Sequence, residues 1–148
     1  MKKILAVASG GGHWKQLMLI RPSFSNHKEK FVTTINGLPQ QESIKDYEIV
    51  TDSNKNNKVA LLKTFIELFL IIICYRPSVI ITTGAAPGLF AIIIGRFVFS
   101  KTIWVDSIAN SEELSLCGRL SKYFAHTVLT QWENLAKNSH AEYKGSVF

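Results

Sequence analysis

Short, nearly uninterrupted apolar runs recur along the chain, and most are separated by a helical pattern. KILAVA (3–8), KFVTTI (30–35), YEIV (47–50), SVIITT (78–83), KTIWVD (101–106) and HTVLTQ (126–131) read as strands rich in β-branched and aromatic residues. Helical patterns fall near 13–20, 58–75, 87–98 and 113–124, with a short one near 133–137. Continuous apolar strands alternating with helices predict a parallel sheet covered on both faces, an α/β, Rossmann-like, doubly wound fold. With 148 residues, 47% of them hydrophobic, the chain has material for one such domain spanning 1–148 and too little for two.

Ligands of these sheets bind outside the carboxyl ends of the strands, where loops lead into helices. Three loops therefore carry the functional expectations: Ser9 to His13, Thr83 to Gly88, and Asp106 to Glu113. In the first, Ser9, Gly10, Gly11, Gly12 and His13 run from strand into helix. Glycines there permit a tight turn and bring backbone amides close to a phosphate, with Lys15 adding charge. A turn needed only to pack the first helix would use the same glycines. Position 15 is Lys, so a G-x-G-x-x-G dinucleotide fingerprint starting at Gly10 fails, and no GxxxxGK[ST] run exists in the chain. His13, at the mouth of the expected cleft, is a candidate hydrogen-bond donor or base. In the second loop, Gly84, Ala85 and Gly88 surround Pro87 ahead of an apolar helix, which offers a second helix N-terminus to an anion. In the third, Asp106 closes the fifth strand, where a carboxylate can accept a sugar hydroxyl or serve as base; Ser111 with Glu112 and Glu113 reads as the next helix start.

His27, His126 and His140 stand singly, and no Cys/His cluster is present, so neither a metal nor a cofactor is expected. Cys74 and Cys117 lie far apart in apolar surroundings with no CxxC pair, which reads as reduced core thiols. The net charge of +6 is concentrated in residues 1–76, with 11 Lys/Arg against 6 Asp/Glu, while residues 77–148 carry 6 against 5. A basic half suits anionic lipid or a phosphorylated substrate; no nucleic-acid-binding motif accompanies it, so nucleic acid is not an expected partner. Residues 77–95 contain no charge, but a Gly-Ala-Ala-Pro-Gly break divides them into strand, turn and helix. The helix over 59–75 is apolar all round in its last two turns, the pattern of a helix buried in a core or dipped into lipid.

Taken in order, SGGGHWKQL (9–17), PSVIITTGAAPG (77–88), DSIANSEELSLCGRLSKYFAHTVLTQW (106–132) and YKGSVF (143–148) resemble a known family. The chain is similar to the acceptor-side, membrane-associated subunit of split UDP-sugar glycosyltransferases, the partner in the two-subunit N-acetylglucosamine transferase of dolichol-linked oligosaccharide synthesis. It looks most like the bacterial capsule and exopolysaccharide version. The resemblance implies the N-terminal half of a GT-B glycosyltransferase, inactive without a separate donor-binding subunit that holds the UDP-sugar. It implies a polyprenyl-diphosphate-linked sugar as acceptor and a peripheral place on the cytoplasmic face of the membrane. Some members begin with a spanning anchor, for which a first strand starting at Lys3 leaves no room; attachment then falls to the basic half and to the helices at 59–75 and 87–98. Relatives often carry Glu at the position of Asp106. A non-catalytic enhancer that recruits a complete transferase is the alternative function. The terminal Val147 and Phe148 read equally as part of a last strand and as a docking tail.

Overall fold

A computed structural model describes residues 1–148. Seven strands form one all-parallel sheet: β1 (Lys3–Ala8), β2 (Lys28–Thr33), β3 (Tyr47–Ile49), β4 (Val79–Gly84), β5 (Lys101–Val105), β6 (Thr127–Thr130) and β7 (Glu142–Tyr143). Their order across the sheet is β3-β2-β1-β4-β5-β6-β7. The chain therefore builds outward from β1 in one direction, returns, and builds outward from β4 in the other. The helices are α1 (Gly12–Ile20), α2 (Leu38–Gln41), α3 (Lys58–Tyr75), α4 (Ala85–Phe97), α5 (Leu116–Ser121) and α6 (Glu133–Asn138).

Period-two alternation within the strands divides the core between the two faces. On one face, Trp14 and Leu17 of α1 pack with Ile4, Ala6, Phe31, Ile81 and Val105. On the other, Leu68 and Ile72 of α3 and Ala91 and Ile94 of α4 cover Leu5, Val7, Val32 and Ile80. Farther along that side Trp104 and Val128 meet Ile92, Leu114 and Leu135. The two-sided cover explains why the strands read as continuous apolar runs, and the doubly wound expectation is met.

Element boundaries moved where tertiary contacts overrode the local pattern. The second strand begins at Lys28, two residues early, because Lys28 and Glu29 pair with Lys3 and Ile4. The fifth helix starts at Leu116 rather than near 113. Ser115, not Ser111, caps it: the Ser115 hydroxyl accepts the Gly118 amide at 2.9 Å, and Glu112 and Glu113 precede the helix altogether. A seventh strand was not anticipated beyond the terminal alternatives; Glu142 and Tyr143 pair with Leu129 and Thr130, two residues too few for a sequence pattern. The thiols also depart from expectation. Cys74 is exposed and Cys117 half-buried; both are free, and burial, then the charge of Asp106, pushes the Cys117 thiol up.

Candidate functional site

The sheet reverses its winding between β1 and β4, so the loops that follow these two strands border the switch point, the crevice at the carboxyl ends where ligands of doubly wound sheets bind. Gly11 ends the first loop at φ 69°, a left-handed conformation that favours glycine, and α1 begins at the next residue. Across the crevice, Gly84 at φ 140° and Ala85 at φ 65° turn the chain from β4 directly into α4. No side chain caps either helix, and neither carries an acidic residue in its first turn. Two helix N-termini thus bring uncapped amides and the positive ends of their dipoles to one place, an arrangement that accepts an anion.

His13 joins the two sides. Its Nδ1 lies 2.9 Å from the Thr83 carbonyl oxygen, and the Thr83 hydroxyl donates to the His13 carbonyl at 2.6 Å. Thr83 can do this because β4 bulges there: Val7 faces Thr82 and Ala8 faces Gly84, leaving Thr83 without a partner on β1. Gly84 must be glycine for a second reason, since a Cβ on it would stand 2.5 Å from His13 Nδ1.

The other expected residues divide by position. Ser9 and Gly10 are half-buried at the end of β1, while Gly11, Gly12 and Lys15 are exposed in the loop and the first turn of α1. Gly88 does not reach the crevice: it is buried where α4 crosses β4, and a side chain there would overlap Thr82. Its glycine serves close helix–strand packing. Asp106 is likewise not an open carboxylate. It is 1% exposed; Oδ1 accepts Trp104 Nε1 at 3.0 Å and the Ser115 hydroxyl at 2.6 Å, and Oδ2 accepts the Ser115 amide at 3.0 Å. With both oxygens engaged, Asp106 acts as a clasp that closes the 107–114 loop onto the start of α5.

Gln16 was missed by the sequence reading. It is 1% exposed on α1, donates through Nε2 to the Asp106 carbonyl at 3.0 Å, and accepts the Ile108 amide at 3.2 Å. The glycine-loop helix and the loop after β5 are fixed to each other through this one amide. Its only sequence signal is a polar residue between Trp14 and Leu17 on the buried side of a helix.

Features elsewhere offer less convergent chemistry. One cavity, of about 540 Å³, is lined by Glu112–Leu114, α5 and the end of α6 and by no residue of the two loops; it mixes charges of both signs, as in the Glu113–Arg119 pair at 3.4 Å. His126 accepts the Thr102 amide at 3.1 Å beside Arg96; burial and the neighbouring Arg96 and Lys101 hold its pKa down, as befits a satisfied strand-edge histidine.

A profile of the family described as "Oligosaccharide biosynthesis protein Alg14 like" matches residues 43–147, well over half of the chain. The chain belongs to the Alg14-like family. The matched segment contains the Thr83–Ala85 side of the crevice and the Asp106 clasp, and begins after the glycine loop. No curated protein matches the Alg14-like chain at a significant level. Among solved structures, its fold is similar to MurG from Acinetobacter baumannii, with a TM-score of 0.74 at 11% identity over 91% of this chain and 43% of that one. It is also similar to UDP-N-acetylglucosamine 2-epimerase from Rickettsia bellii, with a TM-score of 0.73 at 14% identity, over 99% of this chain and 45% of that one. A third is S. aureus MnaA in a co-structure with UDP, with a TM-score of 0.71 at 14% identity, over 93% of this chain and 40% of that one. The Alg14-like chain spans less than half the length of each, and shares the fold of the N-terminal half of GT-B glycosyltransferases and epimerases.

Proposed function

We propose that this chain is the acceptor half of a two-subunit glycosyltransferase of glycan biosynthesis. The enzyme transfers a sugar from a UDP-sugar to a polyprenyl-diphosphate-linked saccharide, in capsule or exopolysaccharide synthesis. One observation carries the reading: two uncapped helix N-termini and a histidine converge on one crevice of a domain that spans less than half the length of its structural neighbours. A separate donor-binding subunit supplies the missing wall and holds the uridine diphosphate. The amides at Gly12 and His13, with Lys15, and those at Ala85 and Ala86 grip the acceptor's diphosphate; Ser9 to Gly11 and Gly84 shape the turns that present them. His13 takes the proton of the attacking hydroxyl, and Asp106 keeps the loop beside it in place. The whole of residues 1–148 works as this single acceptor domain.

A short polyprenyl-diphosphate-sugar added to the isolated chain should shift the amide resonances of Gly10–His13 and Thr83–Ala86, whereas UDP should leave them in place. UDP-selective shifts there would assign the crevice to the donor and overturn this division of labour.

The same reading puts the protein on the cytoplasmic face of the membrane as a peripheral subunit. No helix is long and apolar enough to cross a membrane. Instead, α3 exposes Leu62, Ile66, Phe69 and Leu70, α4 ends in Phe97, 72% exposed, and Phe99 follows the helix at 96% exposed. An apolar groove of about 270 Å³ runs between Phe65, Phe69, Ile93 and Phe97, with Lys58, Lys63 and Arg96 exposed on the same two helices. Aromatic and aliphatic side chains flanked by cations suit an anionic lipid surface. Phe69→Glu with Phe97→Glu should abolish co-flotation with vesicles containing anionic lipid while leaving the fold intact; undiminished flotation would move the membrane contact elsewhere.

The enhancer reading draws on the family match beginning at residue 43, beyond the glycine loop and His13. It requires a partner that is a complete enzyme alone.

A further inference from the structure

We infer that Thr83 is a positioning residue for His13, holding the imidazole in its Nδ1–H form so that Nε2 is the proton acceptor. The inference rests on the acceptor-half reading above. A backbone carbonyl only accepts hydrogen bonds, so the 2.9 Å contact between His13 Nδ1 and the Thr83 oxygen requires the proton on Nδ1. A neutral imidazole has one N–H, and Nε2, which meets no protein partner, therefore keeps its lone pair. Histidine free in water prefers the opposite tautomer, so the protein must impose this one.

Thr83 imposes it from two directions. Its carbonyl is aimed at the ring because the bulge takes Thr83 out of register with β1. Its hydroxyl, on a residue with no solvent exposure, holds the His13 carbonyl at 2.6 Å and so fixes the backbone from which the ring projects. The ring can lie this close to β4 only because Gly84 has no Cβ. The left-handed φ of 65° at Ala85, uncommon for a residue with a side chain, belongs to the same turn.

In the transfer step the acceptor O–H gives its proton to Nε2 as the oxygen bonds to the anomeric carbon of the donor sugar. The bond from that carbon to the UDP oxygen breaks, and its electron pair leaves with UDP. The resulting imidazolium keeps its Nδ1–H on the Thr83 carbonyl, whose negative end stabilises the new positive charge; solvent later takes the Nε2 proton.

The test combines spectroscopy on the chain with kinetics on the reconstituted pair. With histidine nitrogens labelled, two-bond nitrogen–proton correlation spectra at alkaline pH report each tautomer, and His13→Ala assigns the His13 signals. The expected result is the Nδ1–H form in the unaltered chain and in Thr83→Ser, and a shift toward the Nε2–H form in Thr83→Val, which is similar in shape but lacks the hydroxyl. In the pair, Thr83→Val should lower kcat about 10-fold with KM nearly unchanged, and Thr83→Ser should restore it. An Nε2–H form in the unaltered chain, with turnover still dependent on His13, would overturn the positioning alone. Turnover indifferent to His13→Ala would overturn the base reading, and with it the role of Thr83, even with the tautomer locked.

Discussion

His13→Ala in the reconstituted pair lowers turnover by about 100-fold or more, the usual loss when a positioned general base is removed. The effect should fall on kcat, because the amides proposed to hold the acceptor diphosphate belong to the backbone and survive the change. Binding of the donor subunit should be unaltered, and so should the fold: the ring is half-buried at a crevice and fills no core position. Turnover within a few-fold of the unaltered pair would remove His13 from the chemistry. The convergence of the two loops would then be a matter of binding only.

Asp106→Ala should be among the most destabilising single changes in the chain, at about 3–5 kcal/mol, because it leaves the buried Trp104 indole N–H and the partly buried Ser115 amide without an acceptor around an unfilled space. Total stability for a domain is about 5–15 kcal/mol, so the variant is expected near its unfolding threshold. Asp106→Asn tests the same clasp with less loss of volume. Whichever way the amide is turned, its NH2 faces a donor, either the indole or the Ser115 backbone, and a loss of about 2–3 kcal/mol follows. Urea unfolding midpoints measure both. A fully stable Asp106→Asn that has lost turnover would make Asp106 a reacting group, in the role its place at the end of β5 first suggests.

The contrast between His13 and Asp106 marks what the sequence can convey. Strand runs, the glycine turn, its histidine and the approximate places of three loops are local patterns, and the parallel, two-sided sheet follows from them. Asp106 sat where a base belongs, yet Ser115, which donates to both of its oxygens, meets it only after the 107–114 loop folds back. Gly88 looked like part of an anion loop until α4 was laid across Thr82. Thr83 marked only the start of the second loop and not its own role, because a bulge is a relation between two strands and β1 is some seventy residues away in the chain. Gln16 was hidden for a similar reason, since its acceptor and donor partners follow β5. Residues that hold loops to one another are determined by pairings distant in sequence, whereas residues that turn the chain are written where they act.

Sugar transfer to a short polyprenyl-diphosphate-linked acceptor, measured in membranes with this chain alone, its donor-binding partner alone and the two together, tests the central claim most directly. The acceptor-half account predicts transfer from the mixture and none above background from either component. Full transfer by the partner alone would contradict it and reduce this chain to a membrane-borne enhancer.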